Sequence, residues 1–327
     1  MDAWMEENPR YKREVTLLFF AYNDYVTAPT AGTIEMREDV GVVYAVSDYV
    51  NYYYDVYNSA NDTFRTQFEA WANLCAQSGS TFALWTYTKN FSAYMLRADV
   101  YGENAFFNEN AYRYFAENGV DLWFNQGATN GTTTLSAFEK LNGYIDAQMM
   151  WDSNQSVEDL IDNWFNAMYG GAAGYMKMLY QAQNAMARNV FGTSKLGIPS
   201  VGVAKSSMKT KLTNSELQTW FGYIDSAKSV INSDNSLTDE QKAAYLERIT
   251  EEWIAIEYWY VYLYYSSFLD GLDGVTVDTA AVTAAFREAL GYDAATGTYA
   301  KDVMVLERAD ITLSQWIESN FSEDLIQ

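Results

Sequence analysis

The stretch FALWTYTKNFSAY, Phe82 to Tyr94, read together with VDLWFNQG, Val120 to Gly127, decides the fold of this chain. Each is a short apolar run that ends abruptly in aromatic and amide side chains, as a strand does when it delivers residues to the mouth of an α/β barrel. Upstream, VTLLFFAY (Val15 to Tyr22) and VGVVYA (Val40 to Ala45) are two more continuous apolar runs of strand length. Between the second and third runs, Phe64, Phe68, Trp71 and Cys75 recur at three- and four-residue spacing, which predicts a helix over Asp62 to Gln77. Further helices are expected near Ala105 to Glu117 and from about Thr134 to Met150, after a short one at Asp2 to Glu7.

Strand followed by helix thus repeats four times. Near-continuous hydrophobic strands separated by amphipathic helices favour a parallel sheet covered by helices, either doubly wound or closed into a barrel. Four units are too few to close an eight-stranded barrel. The expected fold is therefore α/β followed by all-α: residues 1–152 form the C-terminal half of a (β/α)8 barrel, and residues 153–327 a helical domain. A four-stranded open α/β domain is the alternative. A missing upstream half could carry any secretion signal, since the opening MDAWMEENPRYKRE is polar and charged.

The second half reads as helices. Ser156 followed by Asp159 is a helix-start signature, Thr238 with Gln241 repeats it, and Gly170 and Gly171 stop the first helix. Helices are expected at about Ala172 to Asn189, Asn214 to Asn232, Thr238 to Tyr265, Thr279 to Leu290 and Leu313 to Phe321, with Gly192 to Ser207 as a connection.

Composition excludes whole classes of chemistry. The chain has 327 residues, 49% hydrophobic and 17% aromatic, enough to bury a large core. Acidic residues outnumber basic ones 43 to 21, and no Lys/Arg run could neutralise phosphates, so nucleic acid is not an expected partner. Histidine is absent, which removes His triads, His bases and His metal ligands. The single Cys75 excludes an internal disulfide framework and reads as a buried thiol. Neither a metal nor another cofactor is expected. The most apolar long run, Trp253 to Leu269, contains Glu257 and many Tyr, and reads as a buried helix rather than a membrane span.

Five segments together carry a resemblance: LLFFAYNDYVTAP (Leu17 to Pro29), LWTYTKNFSAYML (Leu84 to Leu96), NAYRYFAENGVDLWFNQG (Asn110 to Gly127), LNGYIDAQMMWD (Leu141 to Asp152) and VEDLIDNWFNAMYGGAAGYMK (Val157 to Lys177). In order and spacing they resemble the domain-of-unknown-function 4838 family of bacterial proteins, over about residues 1–190. That family is similar to glycoside hydrolases with a (β/α)8 barrel. The resemblance implies a protein that acts on or binds complex glycans, as part of a longer extracellular or cell-surface protein. The alternative is a non-catalytic carbohydrate-binding or scaffold module with a degenerate site.

The family pattern at the third strand reads WDYxxNF, matched by Trp85, Tyr87, Asn90 and Phe91, but Thr86 stands where the family often has Asp. At the fourth strand the pattern FEQG is matched by Gln126 and Gly127, but Asn125 stands where the family often has Glu. Both departures delete carboxylates, and glycosidases need two carboxyl groups facing the scissile bond. Asp24 and Asp48 follow the first and second strands and are the candidate catalytic acids. Trp85 and Tyr87 are candidate stacking platforms for a pyranose, with Tyr22 beside them and with Asn90, Asn125 and Gln126 as partners for ring hydroxyls. The expected partner is an oligosaccharide or polysaccharide, together with the missing barrel half or another domain covering the open sheet.

Overall fold

A computed structural model describes residues 2–11, 15–30, 32–46, 50–88, 95, 105–126, 138–191, 205–265, 278–306 and 311–321. The four expected strands and the helices after the last three of them are present, but the first strand runs to the second through a 3-10 turn at Asn23–Tyr25 with no α-helix among the described residues, so strand followed by helix occurs three times rather than four. After α1 (Asp2–Glu7), β1 (Leu17–Ala21), β2 (Val40–Ala45), α2 (Asp62–Ser78), β3 (Phe82–Tyr87), α3 (Glu109–Glu117), β4 (Leu122–Gln126) and α4 (Glu139–Trp151) follow in order. The four strands form one sheet, all parallel, in the order β1-β2-β3-β4.

Sequential order has a consequence for the two faces. Right-handed crossovers between adjacent parallel strands put every connecting helix on the same side, whereas a doubly wound sheet reverses its order to cover both. Tyr44 meets Phe64 and Phe68 of α2, Phe82 meets Phe68, and Trp123 meets Phe115 of α3 at 5.1 Å between ring centroids. Register aligns Tyr44, Leu84 and Trp123 on this covered face.

Alternation turns the next residues the other way. On the open face stand Leu18 and Phe20 of β1, Val43 and Ala45 of β2, Ala83, Trp85 and Tyr87 of β3, and Leu122, Phe124 and Gln126 of β4. Leu18, Phe20, Leu122 and Phe124 are 42%, 51%, 54% and 52% exposed, so no described element covers this face. The small residues of β2 let the larger ones close over them, and Phe20 reaches Trp85 across Ala45 with ring centroids 5.5 Å apart.

Gly41 makes β2 fit its neighbours. A Cβ there would lie 2.5 Å from the carbonyl oxygen of Thr81 and 2.6 Å from Cδ2 of Leu18. Gly41→Ala is expected to force the strands apart and to cost about 1–3 kcal/mol, read as an earlier urea midpoint.

The strand at Val120 to Phe124 is displaced by two residues from its expected position, to Leu122–Gln126. Asp121 explains the shift: its carboxylate accepts from the Phe82 amide, and its own amide donates to the Phe82 carbonyl, so the ladder starts there. The displacement brings Gln126 into the strand, level with Tyr87.

The remainder is helical, as expected, with α5 (Val157–Tyr169), α6 (Ala173–Phe191), α7 (Lys205–Lys211), α8 (Asn214–Ser233), α9 (Asp239–Tyr260), α10 (Thr279–Ala289) and α11 (Leu313–Phe321). Ser156 caps α5, and Thr213 and Thr238 form full capping boxes at α8 and α9. The connection expected over Gly192 to Ser207 lies mostly outside the described residues, and its end belongs to α7. Two short antiparallel pairs near the C-terminal end, β5 (Tyr292–Asp293) with β6 (Thr298–Tyr299) and β7 (Met304–Leu306) with β8 (Ile311–Thr312), were not legible as strands.

The helical part seats on the α/β part through specific contacts. Glu252 of α9 accepts from the Phe138 amide, Lys140 pairs with Glu251, and the Trp259 indole donates to the carbonyl of Met95. Buried side chains of both parts join one hydrophobic cluster. No described helix is long and apolar enough to cross a membrane.

Candidate functional site

Because the four strands are parallel, their carboxyl ends form one rim. Tyr22 and Asp24 lie there, Asp24 in a single turn of 3-10 helix at Asn23–Tyr25 that directly follows β1. Both are exposed, and Asn23 takes a left-handed conformation at φ 50° to make the turn. Asp48 and Asn90 lie outside the described residues, as do Phe91 and Gly127.

Trp85 and Gln126 meet at this rim. The indole Nε1 of Trp85 donates to Oε1 of Gln126 at 3.0 Å. Phe124 packs on the indole with centroids 4.2 Å apart, and Phe20 meets it edge-on from the other side. Trp85 and Tyr87 are half-buried, so the indole is held by its neighbours while part of it faces solvent. Phe20 and Phe124 did not figure among the candidate residues. The alternation within LLFFA and LWFNQ was the signal that could have found them.

Asn125 stands differently from its expected place among the sugar-facing amides. One residue out of phase with Gln126, it points to the helix-covered side. There its Oδ1 lies 3.1 Å from the Thr86 hydroxyl, and its Nδ2 donates to Asp146 of α4. Asp146 also accepts from the Tyr112 hydroxyl at 2.8 Å, and the Trp123 indole donates to Thr86 at 2.8 Å. Thr86 and Asn125 are thus members of a buried polar network joining β3 and β4 to α3 and α4. Asp146→Ala removes the acceptor of the Asn125 amide and of the Tyr112 hydroxyl, and is expected to cost about 2–3 kcal/mol in chemical unfolding.

The loop that follows β2 is set by amides that no sequence motif marks. Buried Asn61 donates to the carbonyls of Asn51, Tyr54 and Asp55 and accepts from the Asn51 amide at 2.7 Å. Asp55 then accepts from Asn108 and Asn110 at the start of α3. Tyr52 donates to the Val46 carbonyl, and full burial holds its hydroxyl well above the usual tyrosine range. It is a packing residue with no proton to give near neutrality.

Cys75 is buried, and burial raises its thiol to about 11, which leaves it unreactive as a nucleophile. Among the described residues no group of three His, Cys, Asp or Glu side chains is placed to hold a metal ion.

A family profile described as "Domain of unknown function (DUF4838)" matches residues 6–181, more than half of the chain. No characterised protein and no solved structure matches.

Proposed function

Since the chain belongs to the domain-of-unknown-function 4838 family, we propose that it is a glycoside-hydrolase-like protein that acts on or holds complex glycans outside the cell. One observation carries this reading: an indole framed by two phenyl rings, hydrogen-bonded to a glutamine amide, at the carboxyl rim of a parallel sheet. A pyranose offers one apolar face for such a ring and equatorial hydroxyls for the amides beside it. Gln126 accepts from Trp85 at Oε1, and among the described residues its Nε2 is left to donate to a hydroxyl.

The one-sided sheet supports the same reading. An inward barrel face is apolar and carries its helices outside, as here, and further βα units would cover Leu18, Phe20, Leu122 and Phe124. In that arrangement Asp24 or Asp48 assists an acid from the added strands in two-carboxylate hydrolysis. The second reading is a non-catalytic glycan-binding or scaffold module. It draws on Thr86 and Asn125, which stand where the family resemblance places carboxylates and which are tied to Asp146.

Calorimetric titration with oligosaccharides tests the shared part. Saturable binding is expected, weakened about 30-fold by Trp85→Ala, the effect of removing a binding hot spot of about 2 kcal/mol. Absence of binding across a broad glycan array would sink both readings. Turnover of aryl glycosides that falls with Asp24→Asn would select the enzyme.

A further inference from the structure

A second groove lies in the helical part, lined mainly by residues of α8, α9 and α10. It encloses about 440 Å³, within the size range of small-molecule sites. Thr250 and Trp253 of α9 line it together with Ala285, Ala289 and Gly291, whose small side chains leave it open. Phe286 packs against Trp253 at 5.7 Å between centroids and fixes the ring.

The charges around it fall into two sets. Lys301 pairs with Glu247 and, at 3.8 Å, with Glu251, which also pairs with Lys140. These groups neutralise one another. Lys228 of α8 holds its ammonium 5.8 Å from the Trp253 ring centroid, and Glu288 of α10 lines the same groove. Among the described residues neither makes an ion pair or a side-chain hydrogen bond. Lys228, its ammonium over the Trp253 ring, and Glu288 therefore bring one donor and one acceptor to the indole, and together they carry no net charge.

We propose that this groove is a second carbohydrate site, taking one neutral pyranose with its apolar face on Trp253 and its hydroxyls shared between Lys228 and Glu288. Balanced charge disfavours a uronate, which would bring an unmatched carboxylate beside Glu247 and Glu288. The inference rests on the glycan reading for its substrate class but on separate residues for its evidence. Two sites on one chain would bind a polysaccharide with higher avidity than either alone.

The test uses the whole chain labelled with ¹⁵N at its indoles, titrated with cellotriose, maltotriose, triacetylchitotriose and trigalacturonate. Each is taken to about 10 mM, enough to saturate a millimolar site. The expected result is a saturable shift of the Trp253 indole resonance with at least one neutral trisaccharide and none with trigalacturonate. That shift persists in Trp85→Ala and weakens at least tenfold in Lys228→Ala/Glu288→Ala, a pair that leaves Trp253 and its packing on Phe286 in place. A shift confined to Trp85 overturns this inference and leaves the strand-end site standing. Stationary resonances at both overturn the two together.

Discussion

Phe68→Ala is expected to cost about 3–5 kcal/mol of folding stability, the largest loss from any single truncation considered for this molecule. Phe68 is fully buried and stands where α2 meets the covered face of the sheet. Its ring lies 5.8 Å from Tyr44 of β2, 5.1 Å from Phe82 of β3, and 5.3 Å from both Tyr114 and Phe115 of α3. One side chain therefore joins two strands and two helices. Its removal leaves a cavity lined by rigid rings that cannot collapse into the space, so the transfer loss and the cavity loss add. Urea unfolding followed by tryptophan fluorescence reads the effect. A loss below about 1 kcal/mol would show that the aromatic layer repacks freely, contrary to the contacts described.

Glu257 gives the second large effect. It sits in α9 among Ile254, Ile256 and Tyr258, nearly inaccessible, and burial alone raises its carboxyl from 4.5 to about 7. Among the described residues it has no hydrogen-bond or ion-pair partner. The folded state thus holds its proton more tightly than the unfolded chain does. With more protons bound in the folded form, stability falls as pH rises. The burial penalty is absent below the unfolded value of 4.5 and fully expressed above the folded value near 7. Across that window it amounts to about 3 kcal/mol. Glu257→Gln removes the ionisation, so the variant is expected to gain that amount relative to the parent between pH 4 and pH 8. Parallel stability profiles for the two proteins would contradict the assignment.

The sequence showed the sheet because each strand is apolar on both faces, and a parallel strand next to helices needs that pattern. It also placed Trp85 and Gln126 together, since both follow from counting along adjacent strands. Where β4 begins was not legible. Its start depends on Asp121 bonding to Phe82, a contact between residues 39 apart in sequence, and a two-residue displacement there decides which part of the segment pairs with β3. The Asp146 network was hidden for the same reason: Thr86, Tyr112, Asn125 and Asp146 come from four elements and share no local motif. Asn51, Asp55 and Asn61 belong to no sequence motif, yet Asn61 pins the β2 loop by bonds across six to ten residues. The groove at Trp253 needed the packing of α8, α9 and α10, which helical periodicity alone does not give.

The most direct test of the strand-end site is a crystal structure of the chain soaked with the oligosaccharide that binds best in the titrations. Sugar density is expected stacked on the Trp85 indole, with a hydroxyl within hydrogen-bond distance of Gln126 Nε2 and the ring near Tyr22 and Tyr87. Density bound elsewhere, with the carboxyl rim of the four strands empty, would contradict it.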